Sequence, residues 1–205
     1  VSFSDRTILR DLALRYMEKC ADPVHDERRR LWRAHNSMKG DSIPIHVRTF
    51  AWKEMPDAEC ECEDPFLRAF EDRFRAELFR QTFGDDTVLE PWVTVDAARV
   101  LPEGGLWGLP VKWIKGDDPR GAKQIDPSIK DSEDAKKLVA ARHVIDEEET
   151  ARRVSKLRDA IGDLITVGVD RAPAHVMWNA DISTMLGELR GIEEVMYDMI
   201  DRPEW

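Results

Sequence analysis

The sequence predicts an α/β fold: two helices, then about three βα units built on parallel strands. Three observations carry this expectation. Apolar residues recur at helical spacing in five long segments, short apolar or alternating runs lie between them, and the two kinds alternate after residue 40.

Residues 4–20 place Ile8, Leu9, Leu12, Leu14 and Tyr16 at helical intervals behind Ser4, a candidate N-cap, and Ala21-Asp22-Pro23 stops the run. Residues 24–38 restart a strongly charged helix with Val24, Leu31 and Trp32 as its apolar members, and Arg28, Arg29 and Arg30 are expected on a solvated face. In residues 43–50, Ile43, Ile45, Val47 and Thr49 alternate with Pro44, His46, Arg48 and Phe50. This reads as a first strand, with Pro44 near its start, where a missing amide is tolerated. Asp64-Pro65 opens a helix whose stripe is Phe66, Leu67, Phe70, Phe74, Leu78 and Phe79, and Gly84-Asp85-Asp86 makes the following turn. Residues 87–95 read as the second strand.

Residues 100–129 hold five glycines, four prolines and two short β-like pieces, 106–114 and 123–125, which predicts a hairpin-like excursion. Asp131-Ser132-Glu133-Asp134 caps a short helix through Leu138, and residues 146–161 form a longer one. Residues 164–169 are continuously apolar, the pattern of a strand buried on both faces in a parallel sheet. Residues 180–200 make the last helix, with Met185, Leu186, Leu189, Ile192, Val195, Met196 and Met199 inward. Three strands leave two sheet edges unpaired, so residues 1–205 read as one incomplete domain, with residues 1–40 as N-terminal helices and the first βα units from residue 41. The ending at Trp205, directly after an amphipathic helix, reads as interrupted.

Composition excludes several function classes. A net charge of -10 weighs against a nucleic-acid binder, which needs Lys and Arg to neutralise phosphates. No apolar run is long enough to span a membrane, and residues 1–10 have no signal-peptide core. Cys20, Cys60 and Cys62 form an odd set without the spacing of a metal site, which predicts a reduced, cytoplasmic chain with no metal. No GxGxxG, P-loop or nucleophile elbow is present.

Three segments carry a family resemblance. Ala21-Asp22-Pro23 with Glu27-Arg28-Arg29-Arg30-Leu31-Trp32 is one; the run from Asp126-Pro127 to Leu138 is the second. The third is Leu186-Gly187-Glu188-Leu189-Arg190-Gly191 followed by Met196-Tyr197-Asp198-Met199-Ile200-Asp201-Arg202-Pro203-Glu204. Together they resemble the N-terminal part of the uroporphyrinogen decarboxylase-like superfamily, which includes diverged decarboxylase-domain proteins and related corrinoid methyltransferases. The resemblance implies a (β/α)8 TIM barrel whose remaining half lies outside this chain, and a cofactor-free lyase acting on a carboxylated tetrapyrrole or related small molecule. The arginine-glycine segment that grips substrate carboxylates in the true decarboxylases is not recognisable after residues 43–50.

In such a barrel, ligand groups come from the C-terminal ends of the strands and the loops beyond them. Family decarboxylases carry an acid near the end of the second strand, and Glu90 is the only acid within residues 88–95, so it is the expected catalytic residue. A Glu at a strand edge, satisfied by an arginine or by solvent, is its other reading. Arg48 offers a guanidinium fork for a carboxylate, and His46 alternates to the same side. Trp92 after the second strand, and His175, Trp178 and Asn179 after the third, complete the expected substrate-binding set. Two rival readings stand beside the decarboxylase: a corrinoid-dependent methyltransferase, with zinc and the corrinoid held mainly by residues outside this chain, and a non-enzymatic small-molecule-binding or interaction protein. A homodimer is a further expected assembly, and the chain alone is expected to be inactive.

Overall fold

The computed structural model describes residues 1–117, 121, 123–172 and 182–203. In chain order its elements are α1 (Phe3–Cys20), α2 (Val24–Asn36), α3 (Pro65–Arg80), β1 (Trp92–Asp96), β2 (Ala98–Val100), β3 (Lys112–Ile114), β4 (Gln124–Asp126), α4 (Ser132–Ala135), β5 (Val144–Asp146), α5 (Glu147–Ile161), β6 (Thr166–Asp170), α6 (Ile182–Leu189) and α7 (Ile192–Asp201). The chain is of mixed α/β class, and it divides into two units: Val1–Asp96 with Ala151–Asp170, and Ala97–Thr150 with Arg171–Trp205.

The first unit is built on a parallel pair. β1 and β6 run side by side with Trp92 opposite Thr166, Thr94 opposite Gly168 and Asp96 opposite Asp170. Parallel strands require a long crossover, and residues 97–165 supply it. Alternation then sorts the side chains. Val93, Val95 and Val167 are buried in a core with Leu9, Leu12 and Tyr16 of α1, Leu67, Phe70 and Phe74 of α3, and Val154, Leu157 and Ile161 of α5. Trp92, Thr94 and Asp96 therefore share the opposite face with Thr166, Gly168 and Asp170.

Helix ends follow the sequence signals with one shift. The N-cap of α1 is Ser2, whose hydroxyl accepts from the amide of Asp5 at 3.0 Å; Ser4 lies inside the helix. Asp64 caps α3, accepting from Phe66 and Leu67 ahead of Pro65, a contact worth about 1 kcal/mol. Two buried carboxylates hold the preceding segment. Asp5 accepts from the amides of Glu63 and Asp64, and Glu71 accepts from those of Glu61 and Cys62 while pairing with Arg75 at 2.8 Å.

The lead-in to β1 is tied down strand-like but without a ladder. Arg28, buried, donates to the carbonyl of Thr87, and Tyr16 donates to that of Glu90. His25 accepts at Nδ1 from the amide of Leu89 and meets the carbonyl of Lys19 at Nε2, so the network assigns the neutral tautomer protonated at Nε2. Burial, and next the Arg28 guanidinium, lowers the pKa of His25. The unfolded chain, with His near about 6.5, then binds a proton that the folded chain refuses, so stability falls as pH drops below that value. Urea unfolding should show a larger loss between pH 7 and pH 5 for the wild type than for His25→Gln; equal losses would remove His25 as the cause.

Residues 43–50 are not a strand. The amides of Ile45 and Val47 donate to the carboxylates of Asp86 and Asp85, and the amide of Asp86 donates back to the carbonyl of Ile45. Side-chain carboxylates take the place of a neighbouring strand, and Ile43 stays 80% exposed. The second strand also starts later than its composition implies, at Trp92 instead of residue 87.

In the second unit, β2 pairs antiparallel with β5, and β3 with β4. The β3–β4 pair is the hairpin-like excursion expected between residues 100 and 129. Its glycine-rich approach is sterically required at Gly104, where φ is +83° and a Cβ would sit 2.5 Å from the carbonyl oxygen of Gly108. The last predicted helix is two helices. Gly191, at φ +90°, ends α6 and opens α7. Arg190, buried at the break, donates to Asp198 through Nε at 2.9 Å and to the carbonyls of Ile129 and Lys130.

Candidate functional site

Both ends of β1 offer a site, and they differ in chemistry. At its start is a cavity of about 580 Å³. Helix α2 contributes Arg29, Trp32, Arg33 and Asn36, helix α3 contributes Arg73, Glu77 and Arg80, and Tyr16, His46 and residues 87–90 and 92 close it. This cavity gathers three of the predicted site residues, Glu90, His46 and Trp92.

Their roles differ from the expectation. Glu90 precedes the strand, so it does not stand at a C-terminal mouth. Both its oxygens accept from Arg29, at 3.1 and 2.9 Å, and Arg29 also pairs with Asp26 at 2.8 Å. Glu90 is thus the partner of an arginine, with its charge already matched. His46 meets the hydroxyl of Thr87 at 3.4 Å, and Trp92 is about half exposed. Arg48 is exposed and does not line this cavity, although His46 of the same segment does; without a strand there, alternation does not hold the two side chains to one side. His175, Trp178 and Asn179 lie outside the described residues.

At the other end of β1 the parallel register brings two carboxylates together. Asp96 and Asp170 are the last residues of β1 and β6, directly opposite each other, on the face away from the buried core. Neighbouring strands lie about 4.8 Å apart, so one small group can reach both. A carboxylate pair of this kind suits a cation or a set of N–H donors. Gly168, one pleat back on the same face, keeps the approach low. Asp96 also lines a second cavity of about 310 Å³ with Thr94, Phe66, Phe70, Arg73 and Arg153.

Asp96 was hidden in the sequence for a simple reason. The apolar alternation ends at Val95, so a search for an acid inside the run finds Glu90 and stops one residue short. The signal that finds it is the matching Val-x-Val-Asp pattern: Val93-Thr94-Val95-Asp96 repeats as Val167-Gly168-Val169-Asp170.

The cysteines are thiols without a site. Burial pushes Cys62 up to about 12 and Cys20 up to about 11, which makes both poor nucleophiles and ligands near neutral pH. Among the described residues there is no group of three His, Cys, Asp or Glu side chains that could hold a metal ion, and no helix is long and apolar enough to cross a membrane. Comparison with protein-family models, with curated proteins and with solved structures finds no match to this chain.

Proposed function

We propose that this chain is the first part of a (β/α)8 barrel of the uroporphyrinogen decarboxylase-like kind, a lyase that removes CO₂ from a carboxylated tetrapyrrole or a related small molecule. The observation that supports this most is the register of β1 and β6, which sets Asp96 beside Asp170 at the carboxyl ends of parallel strands. That is where barrels of this architecture keep their chemistry. Each strand of the pair has a further edge with no strand beside it among the described residues, as a growing barrel requires.

The substrate serves as its own electron sink. A protonated pyrrole carries positive charge, and the carbon–carbon bond to the departing carboxylate breaks with its electron pair flowing into that ring. CO₂ leaves, and a proton then adds at the carbon it vacated. Asp96 and Asp170 hold the pyrrole N–H groups and offset the charge while it is present, which is electrostatic stabilisation by groups fixed in advance. In this reading the role expected of Glu90 belongs to Asp96, and no cofactor is assigned.

The test is catalysis by the intact protein. Incubated without oxygen with a reduced octacarboxylate porphyrinogen, it is expected to release CO₂ and give products with fewer carboxylates by chromatography. Release no faster than in buffer overturns the decarboxylase reading. Zinc-dependent methyl transfer from methylcobalamin to a thiol would instead support the related methyltransferases.

A further inference from the structure

We infer that the cavity at the start of β1 is a separate binding site for a small organic dianion with a flat body. Its arginines carry the argument. Four guanidinium groups line it, Arg29, Arg33, Arg73 and Arg80, against two carboxylates, Glu77 and Glu90. The carboxylates are spent: Glu90 is held by Arg29 at 2.9 Å and Glu77 by Arg80 at 3.2 Å. Among the described residues, the side chains of Arg33 and Arg73 have no carboxylate in salt-bridge range. Two uncommitted cations thus face one cavity, one from α2 and one from α3, in a chain whose net charge is -10.

The paired arginines have a use here too. By occupying Glu77 and Glu90 they remove the two negative charges that would repel an anion. The remaining wall is aromatic and already oriented. Trp32 donates its indole N–H to the carbonyl of Asp86 at 2.7 Å, and Tyr16 spends its hydroxyl on the carbonyl of Glu90 at 3.1 Å. Trp32 and Trp92 offer ring surface for apolar contact, Tyr16 being buried against Phe74, and this suits an unsaturated ring more than an inorganic ion. At about 580 Å³ the cavity is within the range of small-molecule sites. Guanidinium forks accept carboxylate and phosphate alike, so the shared ligand chemistry is a ring bearing two negative charges. Its lining lies before β1 or at its first residue, and it shares Arg73 with the cavity of about 310 Å³ that Asp96 lines; the inference rests on this lining without the decarboxylase reading.

Calorimetric titration of the protein with benzene-1,3-dicarboxylate, phenyl phosphate and benzoate tests this. A Kd on the order of 0.1–1 mM is expected for at least one dianion, with benzoate about tenfold weaker. Arg33→Gln and Arg73→Gln should each weaken binding about five- to tenfold, and added salt should weaken it further. Both side chains are exposed, so neither change threatens folding, and Arg30→Gln, on the same helix but outside the cavity, should leave affinity unchanged. Preference for phenyl phosphate would assign the anion as a phosphate ester, and preference for the dicarboxylate as a dicarboxylate. Benzoate binding as tightly as the dianions, or equal affinity in wild type, Arg33→Gln and Arg73→Gln, would overturn the site.

Discussion

Asp96→Asn is expected to lower the turnover of the intact protein about 10²–10³-fold, the usual loss when one preorganised charge-stabilising group is removed. The amide still accepts a hydrogen bond but supplies no negative charge, so binding should survive better than rate. Asp96 is exposed at the end of β1, and its replacement should leave the melting temperature close to that of the wild type. Glu90→Gln is the matched control. Glu90 answers Arg29 before the strand begins, so its loss should change turnover by less than about threefold while costing at most about 1 kcal/mol of stability. Steady-state kinetics on both variants separates the two carboxylates. A larger defect in Glu90→Gln than in Asp96→Asn would return the catalytic role to Glu90.

Glu71→Ala is expected to be the most damaging single change to stability, by about 3–5 kcal/mol in chemical denaturation. Glu71 is fully buried, and its removal leaves the amides of Glu61 and Cys62 without their acceptor and takes from Arg75 its closer carboxylate, Glu61 remaining at 3.4 Å. Burial alone would raise the pKa of this carboxyl; the amides of Cys62 and Glu61, with Arg75, outweigh that and hold it below the usual carboxylate range. Its contribution is therefore whole above the unfolded value near about 4.3 and drains away as pH falls toward the folded one. Acid should unfold the wild type more steeply than Glu71→Gln relative to each protein at pH 7. A loss under about 1 kcal/mol for Glu71→Ala would mean that the segment before α3 rearranges to satisfy itself.

Much of the fold was legible because helices announce themselves locally. The stripes of α1, α3 and α5, the Asp64-Pro65 start and the Asp131 cap all depend on neighbours within a turn or two, and the structure has them within a residue or two of the predicted bounds. Strands depend on partners far away. Residues 43–50 alternate as well as any strand, yet Asp85 and Asp86 took their amides, and alternation carries no record of that competition. The three-residue strands β2 and β5 are too short to have any periodicity. Gly191 leaves no mark in the periodicity because the apolar stripe continues in step on both sides of it, from Leu189 to Ile192, although the backbone turns between them. The site followed the same division. His46, expected from the alternation of residues 43–50, and Glu90 and Trp92, expected at the second strand, come to line one cavity, but the opposition of Asp96 and Asp170 is a property of register, and register joins residues 74 positions apart.

Gly168 gives the sheet a clearance that nothing in its own geometry demands. Its φ is not left-handed, and an added methyl would come no closer than 3.7 Å to Thr94, an ordinary contact. A glycine inside a strand forfeits roughly 0.5–1 kcal/mol relative to alanine, so this position gives up rigidity it could have had. What it keeps is headroom. The strip of sheet between Trp92 and the two aspartates is one side chain lower at Gly168 than it needs to be, and a flat molecule laid along that strip could lie against bare backbone with its edge at the carboxylates.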